Sequence, residues 1–304
     1  MKRNAPAMTA SAVLLGAALA WPVGGCGRKE GVAPIRSHFN RGVKQFDDRQ
    51  WDAAAASYRR ALADEPDDRR ARFNLSVTLE LAARDATDAA QAAALRDQAL
   101  AELMELLERH PDDERALLNV AAMTAEREGP EAGEACYQTA LQAHPRSAEA
   151  RAAYANFLLR QDRADDAAAQ AELALASDAG SFAGTVALGD AKLRQGDLDA
   201  AAKAYAKALA TAPDQPVVLR TMAQLEFERG RPAEAQVHVR RALLIDAEDP
   251  GLHRLAGQIA EQQGQTEQAV YHRWQARDLE PDPERAEQDR QTLARLYERL
   301  AATD

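Results

Sequence analysis

A small residue recurs along this chain at Gly42, Ser76, Ala121, Ala155, Gly189, Ala223 and Gly257, spaced by 34 residues in every case but one, where the spacing is 45. A second small residue follows each in phase: Ala54, Ala99, Gly133, Ala167, Ala201, Ala235 and Ala269. Third comes an Ala-Leu-like pair, as at Ala61 and Leu62 or Ala208 and Leu209, and Pro66, Pro111, Pro145, Pro213 and Pro281 close most units. A fixed period of this length marks an architecture in which one supersecondary unit is copied and stacked. The cleanest copy, residues 182–215, shows what the unit is. Gly196 breaks a first helix, because glycine tolerates the left-handed conformation that ends one, and Asp197 is placed to cap a second. Ala201, Tyr205 and Ala208, spaced by four and three, share one helical face. Pro213 stops that helix. Such a helix-turn-helix cannot bury its apolar face alone, so the copies are expected to stack into one continuous core.

The period and the order of its landmarks are similar to those of the tetratricopeptide repeat (TPR) family, over residues 35–283. The resemblance implies an all-α fold, a right-handed superhelical solenoid of seven helix-turn-helix repeats. Residues 284–304 are expected to form a capping helix, with Leu293, Leu296, Tyr297 and Leu300 on one stripe and Glu284, Glu287, Asp289 and Arg290 on a polar face. Repeats four and six have Ala179 and Ala247 in place of the closing proline, and residues 178–180 and 248–250 are expected to keep the turn. The 11 extra residues of repeat two fall between its helices, with a turn expected at 85–88 and both helices lengthened by roughly 8 Å. They form either a tolerated extension or a protruding hairpin that makes contacts.

Composition sets the surroundings of this array. Alanine is abundant and aromatics are only 5% of the 304 residues, which suits closely packed helices rather than a β core. The formal net charge of −10 argues against nucleic acid as a partner, since that calls for a basic footprint. Lys2 and Arg3 followed by the apolar run 8–20 read as a secretory signal, too short for a membrane span. Residues 23–27 (VGGCG) resemble a bacterial lipobox, with Cys26 as the residue that would carry lipid. Ordinary cleavage after Ala18, Leu19 and Ala20 is the alternative. The first route gives a signal peptide at 1–25, a tether at 26–34 and a membrane anchor, since each buried methylene adds about 0.8 kcal/mol. With Gly27 rather than aspartate after the cysteine, resemblance to Gram-negative lipoproteins implies the periplasmic face of the outer membrane. Cys136, the other cysteine, reads as a packed small side chain in a second helix.

In the TPR family the first helix of each repeat lines an inner groove. There this chain repeats a motif, R-x-x-[FL]-N: Arg36, Phe39 and Asn40; Arg70, Phe73 and Asn74; Arg115, Leu118 and Asn119. Arginine and asparagine four apart share a helical face. An asparagine amide offers both donors and an acceptor, matching a peptide group, and the arrangement resembles the asparagine ladder and carboxylate clamp of peptide-binding family members. Asparagine can equally serve neighbouring helices, and arginine at a helix start can face solvent. The later repeats break the motif, carrying Asn156, Asp190, Arg220, Gln224, Arg254 and Gln258 on comparable faces.

No glycine-rich phosphate loop, nucleophile motif, H-E-x-x-H or paired CxxC occurs. The expectation is a non-enzymatic binding scaffold, without metal or cofactor, anchored in the bacterial envelope. It would hold an extended segment of a protein partner and help build a secretion, pilus or polysaccharide-export machine, similar in plan to type IV pilus biogenesis lipoproteins. The alternatives are a regulatory subunit docked on a folded cell-wall enzyme, or an enzyme with an unrecognised site.

Overall fold

The computed structural model describes residues 34–302. The signal, Cys26 and most of the tether lie outside the described residues. Among the described residues all regular structure is helical. The helices are α1 (Pro34–Asp47), α2 (Trp51–Asp64), α3 (Arg69–Asp85), α4 (Ala89–Arg109), α5 (Glu114–Glu128), α6 (Pro130–Ala143), α7 (Ala148–Arg160), α8 (Ala164–Ser177), α9 (Phe182–Arg194), α10 (Leu198–Thr211), α11 (Pro216–Glu228), α12 (Pro232–Ile245), α13 (Pro250–Gln262), α14 (Thr266–Leu279) and α15 (Pro283–Ala301). The chain divides into two compact units, one ending at Gln161 and the next starting at Asp162, in the turn between the helices of repeat four. In the first unit each helix from α1 to α7 packs on the next, and α5 also meets α7; in the second, α8 to α15 do the same, and α11 also meets α13.

The sequence landmarks are the packing points of both units. Ala54, Ala99, Ala121, Ala155, Ala167, Ala201, Ala223, Ala235 and Ala269 have no exposed surface. Their smallness is required by what packs on them. A Cβ added at Gly42 would stand 2.7 Å from the Tyr58 ring, and one added at Gly189 would stand 2.7 Å from the Tyr205 ring. Tyr58, Tyr137 and Tyr205 hold the same position in their second helices and are fully buried. Burying side chains of this size contributes about 1.5–3 kcal/mol each.

The turns follow the same logic. Gly196 has φ +82° at the turn of repeat five, and its in-phase counterparts Asp162 (φ 58°) and Arg49 (φ 54°) adopt the left-handed region without being glycine. That conformation costs a non-glycine residue about 1–2 kcal/mol, so packing on either side fixes it. Side-chain caps open most first helices: Asp68, Asp113, Ser147, Ser181 and Asp249 each accept from backbone amides of the first turn. Asp197 caps α10 as expected, accepting from Ala200 N at 2.9 Å.

Repeat two differs from its expected form in one respect. Its extra length is split unevenly, giving 17 residues in α3 but 21 in α4, against 14 in α2. Alanine-rich residues 89–99 favour helix, and Asp88 starts it by accepting from Ala90 N at 2.7 Å. The extension is tied down at both ends, through Trp51 Nε1 to Asp85 at 2.6 Å and Arg127 to Asp97 at 2.8 Å.

The cap α15 also corrects the expected faces. Leu293 and Leu296 are buried, whereas Tyr297 is exposed, because it falls one residue past the buried stripe. Asp289, expected on the polar face, is only 2% exposed. It accepts from Arg254 Nε at 2.8 Å and pairs with Arg273 at 3.4 Å.

Candidate functional site

The first helices of the first unit carry the R-x-x-[FL]-N copies, and the three copies are not equivalent. Arg36 lies in the first turn of α1, where only the backbone is described. Asn40 is exposed and Phe39 half-buried, with its ring 5.8 Å from that of Tyr58. Arg70 reaches across from α3 and stacks its guanidinium 5.2 Å from the centre of the Phe39 ring, a cation–π contact at a solvent-accessible position. Phe73 and Leu118, at 6% and 7% exposure, belong to the core. Asn74 is half-buried; burial pushes the Tyr58 phenol well above its ordinary value, and the Asn74 amide opposes that rise. Asn119 donates Nδ2 to its own helix, at Arg115 O, 2.8 Å away. Arg115 and Asn156 are half-buried. Asn40 and Arg70, with the half-buried Phe39 under the guanidinium, thus form one surface cluster, while the Asn119 amide is turned to its own helix.

A second feature of this face lies deeper. A cavity of about 40 Å³ opens between α3 and α5 and reaches Arg160 at the end of α7; it is lined by Val77, Glu80, Arg84, Asn119, Met123 and Glu126, among others. Glu80 is 8% exposed. Arg84 donates Nε to Glu80 Oε1 at 3.2 Å, but Oε2 accepts no hydrogen bond, its nearest cation being Arg96 at 3.9 Å. Burial raises the Glu80 pKa; the bond and charge of Arg84 and the charge of Arg96 oppose that rise, and Glu126 adds to it. On the far side Arg160 approaches the buried Tyr137 hydroxyl. Burial pushes Tyr137 up to about 12 and the Arg160 charge opposes the shift. Neither Tyr137 Oη nor Arg160 Nη2 makes an aligned hydrogen bond.

Sequence reasoning passed over Glu80, although a signal was present. It stands four residues after Ser76, at the position filled in phase by Phe46, Leu159, Leu193 and Phe227. A carboxylate there replaces an apolar core residue, and a buried charge needs a partner or a purpose.

In the second unit the arginines and the aspartate at comparable positions are tied within the chain, whereas Gln224 and Gln258 are exposed. Arg220 pairs with Asp249 at 2.9 Å, and Arg254 with Glu280 and Asp289. Asp190 accepts from Tyr205 Oη at 2.5 Å; burial raises Asp190 to about 6, while that bond opposes the shift. His253 and His272 face each other, Nδ1 to Nδ1 at 3.1 Å, and His253 Nε2 lies 3.0 Å from Ala247 O. With His253 Nε2 donating to that carbonyl, the facing Nδ1 atoms can hydrogen-bond through one proton. Desolvation, then the neighbouring His253 and Arg240 charges, lowers His272 to about 4. Among the described residues no group of three or more His, Cys, Asp or Glu side chains is arranged to hold a metal ion, and no helix is long and apolar enough to cross a membrane. Cys136 is a half-buried free thiol.

The outer helices of the second unit show a different surface. Leu244 is 87% exposed, and Val237 on α12 and Tyr271 and Trp274 on α14 are exposed as well. Arg277 stacks on the Trp274 ring at 5.5 Å.

Stacked helix pairs with small residues at fixed phase define a helical-repeat scaffold. Tetratricopeptide repeat models match residues 39–96 and 124–184, and a second one residues 192–259, together more than half of the chain. The protein belongs to the tetratricopeptide repeat family, whose fold is a protein-interaction scaffold. Similar solved structures include a TPR protein of Parabacteroides merdae (17% identity, TM-score 0.55, covering 86% of this chain and 98% of that one). PilW, a type IV pilus biogenesis factor, is 21% identical with TM-score 0.57, over 70% of this chain and 97% of its own. PilF of Pseudomonas aeruginosa is 19% identical with TM-score 0.57, over 74% and 99%. At these identities the likeness is one of fold. No curated protein matches the sequence.

Proposed function

We propose that the protein is an adaptor of the bacterial envelope, held to the membrane by lipid at Cys26, that captures an extended segment of a protein partner on the first-helix face of its N-terminal unit. The observation that carries the reading is the polar and aromatic cluster of Phe39, Asn40 and Arg70 at the surface of the first unit. An accessible cation–aromatic pair with an exposed amide next to it in sequence suits a peptide. The leader sequence and the fold shared with the pilus biogenesis factor PilW support an assembly role for a pilus, secretion or polysaccharide-export machine. Catalysis has no part in this reading.

The test is co-purification of the mature, tagged protein from its own cells, with partners identified by mass spectrometry. Asn40→Ala combined with Arg70→Glu should remove the main partner while leaving the helical circular dichroism intact. Undiminished capture by that double variant would refute the groove. Separately, Cys26→Ala should release the protein from membranes; continued membrane association would refute the lipid anchor.

A second reading, docking on the folded surface of a cell-wall enzyme, is favoured by the exposed Val237, Leu244, Tyr271 and Trp274. Leu244→Glu with Trp274→Ala would remove a partner held that way and leave one held in the groove.

A further inference from the structure

We propose that the outer face of α10, α12 and α14 in the second unit rests on an anionic phospholipid surface. The inference goes beyond the groove reading and needs neither its partner nor an acyl chain at Cys26; it gives a lipid, rather than an enzyme, to the residues of the second reading. Residues 34 apart recur at one place on successive second helices, and two such rows are exposed: Lys203, Val237 and Tyr271, then Ala206, Arg240 and Trp274 three residues on. The helices beneath them are packed together. Ala201, Tyr205 and Ala208 of α10 share one core with Ala235, Val239 and Ala242 of α12. Arg241 donates to Pro213 O at 2.6 Å, which ties α12 to the end of α10. Arg240 stands near enough to His272 of α14 for its charge to lower that ring.

Charge and shape choose the occupant. The chain has a net charge of −10, yet the middle of this band is cationic. Lys203, Lys207 and Arg240 are exposed and have no ion pair among the described residues, and Arg277 lies over the Trp274 ring. The acids of the three helices sit at their ends. Asp199, Glu234 and Glu267 lie in first turns, where the helix dipole favours them, and Asp278 is next to last in α14. With a Debye length of about 8 Å at physiological salt, an opposing surface meets this band and not the distant excess of acids. The band stops at α8, where Glu172 stands in the row of Arg240 and Trp274. Leu244, one turn after Arg240, is 87% exposed, so it has no wall of its own around it. A folded partner would need a matching pocket for that side chain, whereas a deformable lipid interface closes round it. Tryptophan and tyrosine with cations beside them are the residues that settle at such an interface. A second copy of the chain suits the face less well, because two-fold pairing would set the cationic band against itself. No described helix is long and apolar enough to cross a membrane, so the face lies on the lipid and does not span it.

The experiment uses the mature protein, made from residue 26 onward with Cys26→Ser so that no acyl chain contributes. Vesicles of equal parts phosphatidylglycerol and phosphatidylcholine should sediment about tenfold more of it than vesicles of phosphatidylcholine alone, as attraction of a few cations to an anionic surface requires. About 1 M salt, where the Debye length falls to about 3 Å, should abolish that excess. Lys203→Glu with Arg240→Glu should abolish it as well, and Leu244→Ser should weaken binding to the anionic vesicles about tenfold. All these positions are exposed, and circular dichroism checks that each variant keeps its helices. Adding Trp51→Phe leaves Trp274 as the one tryptophan of the mature chain, and its emission should move to shorter wavelength on the anionic vesicles. Equal binding to the two kinds of vesicle, or binding to neither, would overturn the proposal. Binding to neither, with a co-purified acidic protein lost from the Lys203 and Arg240 variant, would assign the face to that protein instead. Failure here is separable from failure of the groove, because capture through Asn40 and Arg70 is measured without vesicles.

Discussion

The two units of this protein share one packing code and spend their polar side chains differently. In both, alanine or glycine at fixed phase lets a second helix close onto a first. In the second unit the arginines and the aspartate of the first helices are paired within the chain: Arg254, with Arg273 of α14, meets Asp289, Arg220 meets Asp249, and Asp190 meets Tyr205. In the first unit Arg70 lies over Phe39 at the surface, Asn40 is exposed, and Glu80 and Arg160 each leave a buried polar atom open. Glu80 and Glu261 make the contrast at one repeat position. Glu261 accepts two hydrogen bonds from Arg273 across its helix pair, whereas Glu80 is bonded by Arg84 of its own helix through one oxygen only. Open buried atoms are not confined to the first unit: Glu226 of the second is bonded by Arg229 through Oε1 while its Oε2 accepts no hydrogen bond. The contrast between the units lies in the exposed Asn40 and the Arg70–Phe39 pair against the ion-paired Arg220 and Arg254.

The largest effect that tests this contrast is in the second unit. Asp289→Ala removes the shared acceptor of two partly buried guanidiniums and undocks a cap, so equilibrium unfolding should show a loss of about 3 kcal/mol. A change below about 0.5 kcal/mol would mean that the cap is held by Leu293 and Leu296 alone. Next comes the code common to both units. Gly189→Ala drives a methyl against the Tyr205 ring and should cost about 1–3 kcal/mol in the same assay. Gly42→Ala should cost a similar amount against Tyr58.

Smaller and opposite in sign are two titrations in the second unit. His272 is lowered to about 4, so its contribution to stability is intact above the ordinary histidine range and is lost as pH falls from about 6.5 toward 4. Asp190 is raised to about 6, so its contribution is present in acid and is lost as pH rises from about 4 toward 6. The two oppose each other between pH 4 and 6. Asp190→Asn should therefore steepen the loss of stability on acidification across that window, and His272→Gln should flatten it, as read from denaturation midpoints at successive pH values. Identical profiles for both variants would sink the assignment. Smallest of all is the expected stability effect of the Asn40→Ala, Arg70→Glu variant, within about 0.5 kcal/mol, because both positions are surface-exposed.

The repeat, its turns and its caps were legible because they depend on local rules: a small residue where helices touch, a left-handed residue at the turn, aspartate or serine at a helix start. Even the surplus of repeat two was readable as longer helices. What escaped the sequence depends on which repeat a side chain reaches into. Asp289 looks like a surface acid of an amphipathic cap until Arg254 and Arg273 converge on it from the last repeat. Asn74 looks like a ligand-facing amide but is half-buried, near enough to the Tyr58 phenol, 16 residues earlier, to oppose the rise that burial imposes on it. Phe73 looks like a groove pocket on a helical wheel but packs with Leu103 and Leu106 of α4, and Leu118 is buried too. Glu80 and Glu261 were both legible, as acids at a repeat position that is otherwise apolar.

The most direct test of exposed polar groups in the first unit against paired ones in the second is site-specific photocrosslinking in living cells. A photoreactive residue is placed in turn at Asn40 and at Val217, an exposed first-helix position of the second unit. Capture on the N-terminal face predicts a partner adduct from position 40 and none from position 217. The same adduct from position 217, or from Trp274 on the outer helices, with none from position 40, would contradict it.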